Sequence, residues 1–90
     1  MSEEATPERI AVIWSPEART HIREIERGTA MQILYCIDRY LTNRAGDVKK
    51  LKPPLTGFRL RRGDYRVFFD LEGDSTIEIT GVKNRRDAYR

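Results

Sequence analysis

The stretch GFRLRRGDYR, residues 57–66, decides how this chain folds. Phe58 and Leu60 alternate with arginines at the two-residue period of a β-strand, whose side chains point to opposite faces in turn. Residues 63–64, Gly-Asp, form a short polar loop, and a second apolar run, residues 65–71, follows it. The pattern predicts a β-hairpin.

A two-residue loop also fixes which residues of the two strands face each other. The predicted cross-strand pairs are Arg62–Tyr65, Arg61–Arg66, Leu60–Val67, Arg59–Phe68 and Phe58–Phe69. One face of the hairpin is therefore apolar and belongs in the core. The other face opposes Arg61 to Arg66, and such like-charge pairs cost up to about 1 kcal/mol. We interpret this face as shaped for an anion, with a merely solvated strand face as the alternative.

Length and composition bound the rest of the interpretation. Ninety residues, 39% hydrophobic and 34% charged, describe one small domain over residues 1–90, with residues 1–8 expected to be flexible. Neither a membrane span nor a signal peptide is recognisable, so we expect a cytoplasmic protein. Cys36 is expected to be a buried helical thiol and His21 a surface residue. Because no Cys/His cluster is present, we predict no metal site and no cofactor.

The charge of the chain is unevenly distributed. Residues 1–48 contain six Arg and Lys against eight Asp and Glu, whereas residues 49–90 contain eleven against six. The basic half is also the half that contains the predicted hairpin. This asymmetry indicates a polyanion or an acidic protein as partner, without choosing between them.

The N-terminal half contains a strand and two helices. Residues 9–14 are an apolar, β-branched run typical of a strand, and Ser15 followed by proline is a typical helix start. Gly28 is expected to end this helix. Thr29 is expected to cap a second helix that ends within residues 43–46. The short turn between the helices predicts an αα-hairpin.

The remaining segments complete the predicted fold. Residues 47–56 are interpreted as a connecting segment, residues 72–75 as a turn and residues 76–82 as a last strand, with residues 83–90 forming a short C-terminal helix or tail. The order is β-α-α-β-β-β. It predicts a small α+β domain with an antiparallel sheet, two helices packed on one face, and the arginine face left open.

The open face is predicted to bind phosphate. Residues 49–66 contain seven basic residues and one acid, and a last strand beside the hairpin would add Arg85, Arg86 and Tyr89. A guanidinium group matches phosphate oxygens in pairs, and Phe68 or Tyr89 could stack on an unpaired base. Binding alone needs no more than this.

RNA cleavage by attack of a ribose 2′-hydroxyl would need a base, stabilisation of the phosphorane and an acid. Arginines suit only the second role, because they stay protonated. Tyr89 or a neighbouring lysine would have to move the proton.

Several short motifs resemble the RelE family of bacterial and archaeal toxins. They are Trp14-Ser15-Pro16 followed by Ala18, then Lys50-Leu51, then residues 57–67, and finally Arg85-Arg86-Asp87-Ala88-Tyr89-Arg90. The resemblance covers nearly the whole chain from Arg9 onward, and the RelE-like fold has the order of strands and helices given above. It implies a ribosome-dependent endoribonuclease that cuts mRNA in the ribosomal A site and is held inactive by a RelB-like antitoxin.

The resemblance also implies roles for individual residues. The positions around the scissile phosphate correspond to Arg59, Arg61, Arg66, Arg85 and Tyr89. Contacts to mRNA and to the 16S rRNA of the ribosome are expected from Lys49, Lys50, Lys52, Arg62, Phe68, Lys83 and Arg86. Arg59 and Arg61 stand where the best-known member has lysines, which makes Tyr89 or Lys52 more important as the base. Lys83 or Arg86 could also take the role assigned to Arg85.

Two other functions fit the same sequence. ParE-like toxins share the fold and target DNA gyrase. A non-catalytic module that binds RNA or the ribosome would use the same face. Tyr89 distinguishes the last alternative, because a binding module tolerates any aromatic ring there and a nuclease needs the hydroxyl.

Overall fold

The computed structural model describes residues 11–73 and 75–87. The elements are β1 (Ala11–Trp14), α1 (Pro16–Glu24), α2 (Arg27–Asn43), β2 (Asp47–Lys50), β3 (Phe58–Arg62), β4 (Tyr65–Glu72) and β5 (Thr76–Asn84). The strands form one sheet in the order β1-β5-β4-β3-β2. The predicted α+β architecture, with two helices over one sheet, is confirmed.

Two features of the sheet differ from the prediction. Residues 47–50 were expected in a connecting segment, but they form the edge strand β2, antiparallel to β3. Val48 is the one apolar residue of β2, which is too little to produce a recognisable alternation, and charged residues are common on edge strands. β1 pairs with β5 in parallel, so the sheet is mixed rather than wholly antiparallel.

The boundary between the helices also differs. Ser15 caps α1 as predicted, its hydroxyl accepting the Ala18 N–H at 3.0 Å. α1 ends before Ile25, and the carboxylate of Glu26 caps α2 by accepting the N–H groups of Gly28 at 2.8 Å and Thr29 at 2.9 Å. Gly28 therefore lies in the first turn of α2 instead of ending α1. The same two hydrogen bonds hold the pKa of the Glu26 carboxyl below its ordinary value, and the bond from Gly28 has the larger effect.

The core lies between the helices and one face of the sheet. Its buried side chains are Ala18, Ile33, Ile37, Leu60, Val67, Phe69, Ile77, Ile79 and Val82. The Phe69 ring stacks on Phe58 and tilts against Tyr40 from α2, each at a centroid distance of 5.5 Å. Cys36 is partly buried and packs against this core.

Helix α1 covers the part of the β5 edge that extends beyond the end of β1. The last residue of β1 pairs with Ile79, and beyond this point the Val82 N–H donates to Nδ1 of His21 at 3.1 Å. His21, expected to be a surface residue, is half-buried, and its imidazole satisfies a strand-edge amide that would otherwise have no partner in the sheet.

The hairpin has the predicted register at all five positions from Phe58–Phe69 to Arg62–Tyr65. Gly63 has φ 56°, which a side chain would strain. At Gly57, φ is 88° and a Cβ atom would lie 2.7 Å from the Phe69 carbonyl oxygen. The loop that enters β3 can therefore lie close to β4 because residue 57 has no side chain.

Candidate phosphate-binding site on the open sheet face

The sheet face opposite the helices carries two rows of side chains that run across the strands. The first row is Asp47, Arg61, Arg66 and Lys83, one residue from each of β2, β3, β4 and β5. The second row is Lys49, Arg59, Phe68 and Gly81. With strands about 4.8 Å apart, each row spans roughly 14 Å. We call these eight positions the basic face.

Arg66 is the most constrained arginine of the basic face. Only 9% of the residue is exposed, and its Nη1 donates to the carbonyl oxygens of Gly63 at 3.0 Å and Tyr65 at 2.9 Å. The guanidinium group is therefore held at the hairpin turn. Arg61 faces Arg66 across the strands.

Asp47 links the other two arginines of the basic face. Its Oδ1 lies 3.6 Å from Nη1 of Arg59, and its Oδ2 lies 3.9 Å from Nη1 of Arg61. The Arg59 side chain is only 13% exposed, whereas that of Arg61 is 53% exposed. Arg59 thus acts as a fixed part of the site, and Arg61 is the arginine that an incoming anion reaches most easily.

The segment after β5 returns to the hairpin turn. The Arg85 N–H donates to the Asp64 carbonyl oxygen at 2.7 Å, and Nε of Arg85 lies 3.9 Å from the Asp64 carboxylate. Arg85 therefore lies at the end of the basic face nearest the turn. Arg86 is exposed, and its N–H donates to Oδ1 of Asn84 at 3.0 Å. Tyr89 lies outside the described residues.

Three of the predicted RNA contacts do not lie on this face. Lys50 pairs with Phe58, so it points to the helix side of the sheet at its edge. Arg62 also belongs to the helix side, where its Nη2 donates to Oε1 of Gln32 at 3.2 Å. Lys52 is exposed in the loop that follows β2. Lys49, Phe68 and Lys83 do lie beside the arginines.

A shallow cavity of about 380 Å³ opens between the loop and the basic face. Leu51, Pro54 and Leu55 form its loop side, and Phe68 and Lys83 belong to its sheet side. Apolar walls beside the Lys83 ammonium group suit a ligand that has both a flat ring and a phosphate.

Sequence reasoning missed Asp47 as a member of the site. The residue was assigned to a connecting segment, and its position beside Arg61 follows only from the pairing of β2 with β3. The sequence signal that could have located it is weak. It consists of one apolar residue, Val48, between charged ones ahead of a loop that returns to the hairpin.

Within residues 11–73 and 75–87, no group of three or more His, Cys, Asp or Glu side chains could hold a metal ion. In the same residues, no helix is long and apolar enough to cross a membrane.

Solved structures with the same fold include three toxin-type chains. The archaeal RelE–RelB complex from Pyrococcus horikoshii OT3 superposes with a TM-score of 0.71 at 24% identity, over 89% of this chain and 99% of that chain. YafQ from E. coli superposes with a TM-score of 0.72 at 9% identity, over 90% of this chain and 99% of that chain. The chromosomal ParDE system from P. aeruginosa superposes with a TM-score of 0.51 at 14% identity, over 86% of this chain and 97% of that chain. At these identities the likeness shows the fold.

Sequence comparison supplies the family. Curated protein sequences contain no match to the chain. The family model described as the ParE toxin of the type II toxin-antitoxin system parDE matches residues 12–89. This match covers most of the chain, and the RelE-like fold agrees with it. The chain is therefore a toxin of the type II toxin–antitoxin class that belongs to the ParE toxin family, within the RelE/ParE superfamily.

Proposed function

We propose that this toxin is a ribosome-dependent endoribonuclease that cuts mRNA in the ribosomal A site by 2′-hydroxyl attack and so inhibits translation. The observation that carries the proposal is the first row of the basic face, where two opposed arginines are followed by Lys83 on the neighbouring strand. Three cations in one row on an uncovered sheet face form a binding site for a phosphodiester, whose negative charge increases in the transition state.

The individual roles follow from exposure and position. Arg61 binds the scissile phosphate, Arg59 and Arg66 supply fixed positive charge behind it, and Arg85 approaches from the turn. Lys49 holds a flanking phosphate, Lys83 approaches the scissile phosphate from β5, and Phe68 stacks on a base beside the cavity. Tyr89 completes this set as the sequence predicts. The chemistry needs no metal ion, since guanidinium groups can neutralise the phosphorane.

The partner that controls such a toxin is a small antitoxin of the RelB type. Related folds were solved as toxin–antitoxin complexes, among them RelB–RelE from Methanococcus jannaschii, at 21% identity. Both the antitoxin and the ribosome would be met in the cytoplasm.

Gyrase inhibition is the second candidate function. The family model that matches is named for ParE, which supports it. The backbone is more similar to the P. horikoshii RelE–RelB complex, with a TM-score of 0.71, than to the ParDE structure, with 0.51. The cations of the basic face favour an RNA phosphate as the target. A non-catalytic ribosome-binding module would use the same face and differ only in leaving the RNA intact.

Expression in cells separates the three functions. The toxin is induced with and without its antitoxin, alongside Arg61→Ala and, as a matched control on the opposite sheet face, Arg62→Ala. Sequencing of transcript 5′ ends should show cuts confined to translated regions for the wild type and Arg62→Ala, and far fewer for Arg61→Ala. Intact messages with altered DNA supercoiling would favour gyrase inhibition. Growth arrest with neither change would favour a binding module.

A further inference from the structure

The cleavage reaction lacks an assigned base. Arginine stays protonated at physiological pH, so none of the arginines on the basic face can accept the 2′-hydroxyl proton. A carboxylate is already in its basic form at that pH. Asp47 is a carboxylate on the same face, within 4.0 Å of a guanidinium nitrogen of both Arg59 and Arg61.

The first row of the basic face has its charges in a definite order. From β2 to β5 it consists of a carboxylate, two guanidinium groups and an ammonium group. In-line displacement at phosphorus needs a proton acceptor on the side of the attacking oxygen and a proton donor on the side of the leaving oxygen. A phosphate bound at Arg61 would have Asp47 on the β2 side and Lys83 on the β5 side.

We propose that Asp47 is the general base and Lys83 the general acid of the cleavage step, an assignment that rests on the proposed endoribonuclease function. Both side chains are accessible, since that of Asp47 is 49% exposed and Lys83 is an exposed residue. The ion pairs with Arg59 and Arg61 place the carboxylate beside the arginine that is proposed to bind the phosphate.

The step balances in atoms and electrons. The Asp47 carboxylate removes the proton from the 2′-hydroxyl, and the oxygen's electron pair forms a bond to the adjacent phosphorus. The bond between phosphorus and the 5′ oxygen of the next nucleotide breaks, and the Lys83 ammonium protonates that oxygen. The products are a 2′,3′-cyclic phosphate and a 5′-hydroxyl end, and solvent then restores the two protonation states.

Other carboxylates near the face are directed elsewhere. Asp64 lies at the hairpin turn and pairs with Arg85. Asp70 lies against Gly57, beyond the second row of the basic face, so close that a Cβ atom on this glycine would collide with its carboxylate. Neither carboxylate belongs to the first row of the basic face, where Asp47 lies next to Arg61.

The test uses purified toxin with ribosomes stalled on mRNA, at saturating toxin. Asp47→Asn should lower the single-turnover cleavage rate by about 10²- to 10⁴-fold, and Lys83→Met by a similar factor, with ribosome co-sedimentation unchanged. Asp38→Asn, an exposed carboxylate on α2, and Arg23→Met, an exposed cation on α1, are controls and should cleave at the wild-type rate.

A substrate with sulfur in place of the leaving 5′ oxygen separates the two roles. A thiolate leaves without protonation, so this substrate should restore cleavage by Lys83→Met and leave Asp47→Asn slow. Asp47→Asn should also show a rate that rises about tenfold per pH unit, because hydroxide replaces the lost base. The charged groups that face Asp47 are Arg59 and Arg61 from β3 and Lys49 from its own strand, and all three remain in this variant.

Each outcome has a defined meaning. Near-wild-type cleavage by Asp47→Asn, or a slow Asp47→Asn enzyme with the wild-type pH dependence, would overturn the assignment of the base. A Lys83→Met defect that persists on the sulfur substrate would overturn the assignment of the acid. Either result leaves the endoribonuclease proposal standing if the wild type cleaves. Absence of cleavage by the wild type would contradict both the endoribonuclease proposal and the assignment of Asp47 and Lys83.

Discussion

Replacing Arg66 with alanine should destabilise the fold more than replacing any exposed arginine. Arg66 makes two hydrogen bonds to carbonyl oxygens of the hairpin turn and is only 9% exposed. Hydrogen bonds from a charged donor contribute roughly 1.5–3 kcal/mol each when buried, and less here because the turn carbonyls can bond to water. Relief of the opposition to Arg61 returns up to about 1 kcal/mol. We expect a net loss of about 1–2 kcal/mol.

The assay is thermal unfolding followed by circular dichroism, supported by urea titration. For a domain of this size, a loss of about 1–2 kcal/mol lowers Tm by roughly 4–16 °C. Arg61→Ala is the matched control, because it removes the same charge from a side chain that is 53% exposed. It should be neutral or stabilising by up to about 1 kcal/mol, because it relieves the same charge opposition and removes only an exposed ion pair. Equal melting temperatures for the two variants would refute the structural role given to Arg66.

Three further predictions test the fold and the proposed site. Leu60→Ala should cost about 2–5 kcal/mol in urea unfolding, since Leu60 is 1% exposed, and a surface-sized effect would contradict the strand register. Because bonding to Gly28 and Thr29 depresses the pKa of Glu26, its contribution to stability is present above pH 4.5 and is lost as the pH falls through the folded-state pKa. Glu26→Gln should reduce the fall of Tm at acidic pH, and an unchanged fall would exclude a stabilising role of the Glu26 carboxylate as the cap of α2. Tyr89→Phe should lose most cleavage while keeping ribosome binding, and equal cleavage would exclude the Tyr89 hydroxyl from the reaction.

The hairpin was predictable because its information is local. A two-residue loop sets the register, and the alternation of apolar and charged residues sets the two faces, so Leu60 and Arg61 fall where the structure has them. The opposed arginines could be recognised as a candidate site for the same reason. Nothing beyond the stretch around Gly63 was needed.

The features that were missed depend on contacts between distant segments or on side-chain conformation. β2 contains one apolar residue, and only its pairing with β3 identifies it and brings Asp47 to Arg61. Glu26 was overlooked because Ser, Thr, Asp and Asn are the usual capping residues, which made Thr29 the better candidate. The bonds from Arg66 to the turn depend on a side-chain conformation that sequence alone does not specify.

Cleavage of mRNA on purified ribosomes tests the central claim most directly. Ribosomes programmed with a defined mRNA and an empty A site are mixed with wild-type toxin or with Arg61→Ala, and the RNA ends are mapped. The account predicts a cut within the A-site codon for the wild type, no cut in free mRNA, and strong loss of cutting for Arg61→Ala. Intact mRNA with the wild type, or equal cutting by Arg61→Ala, would contradict it.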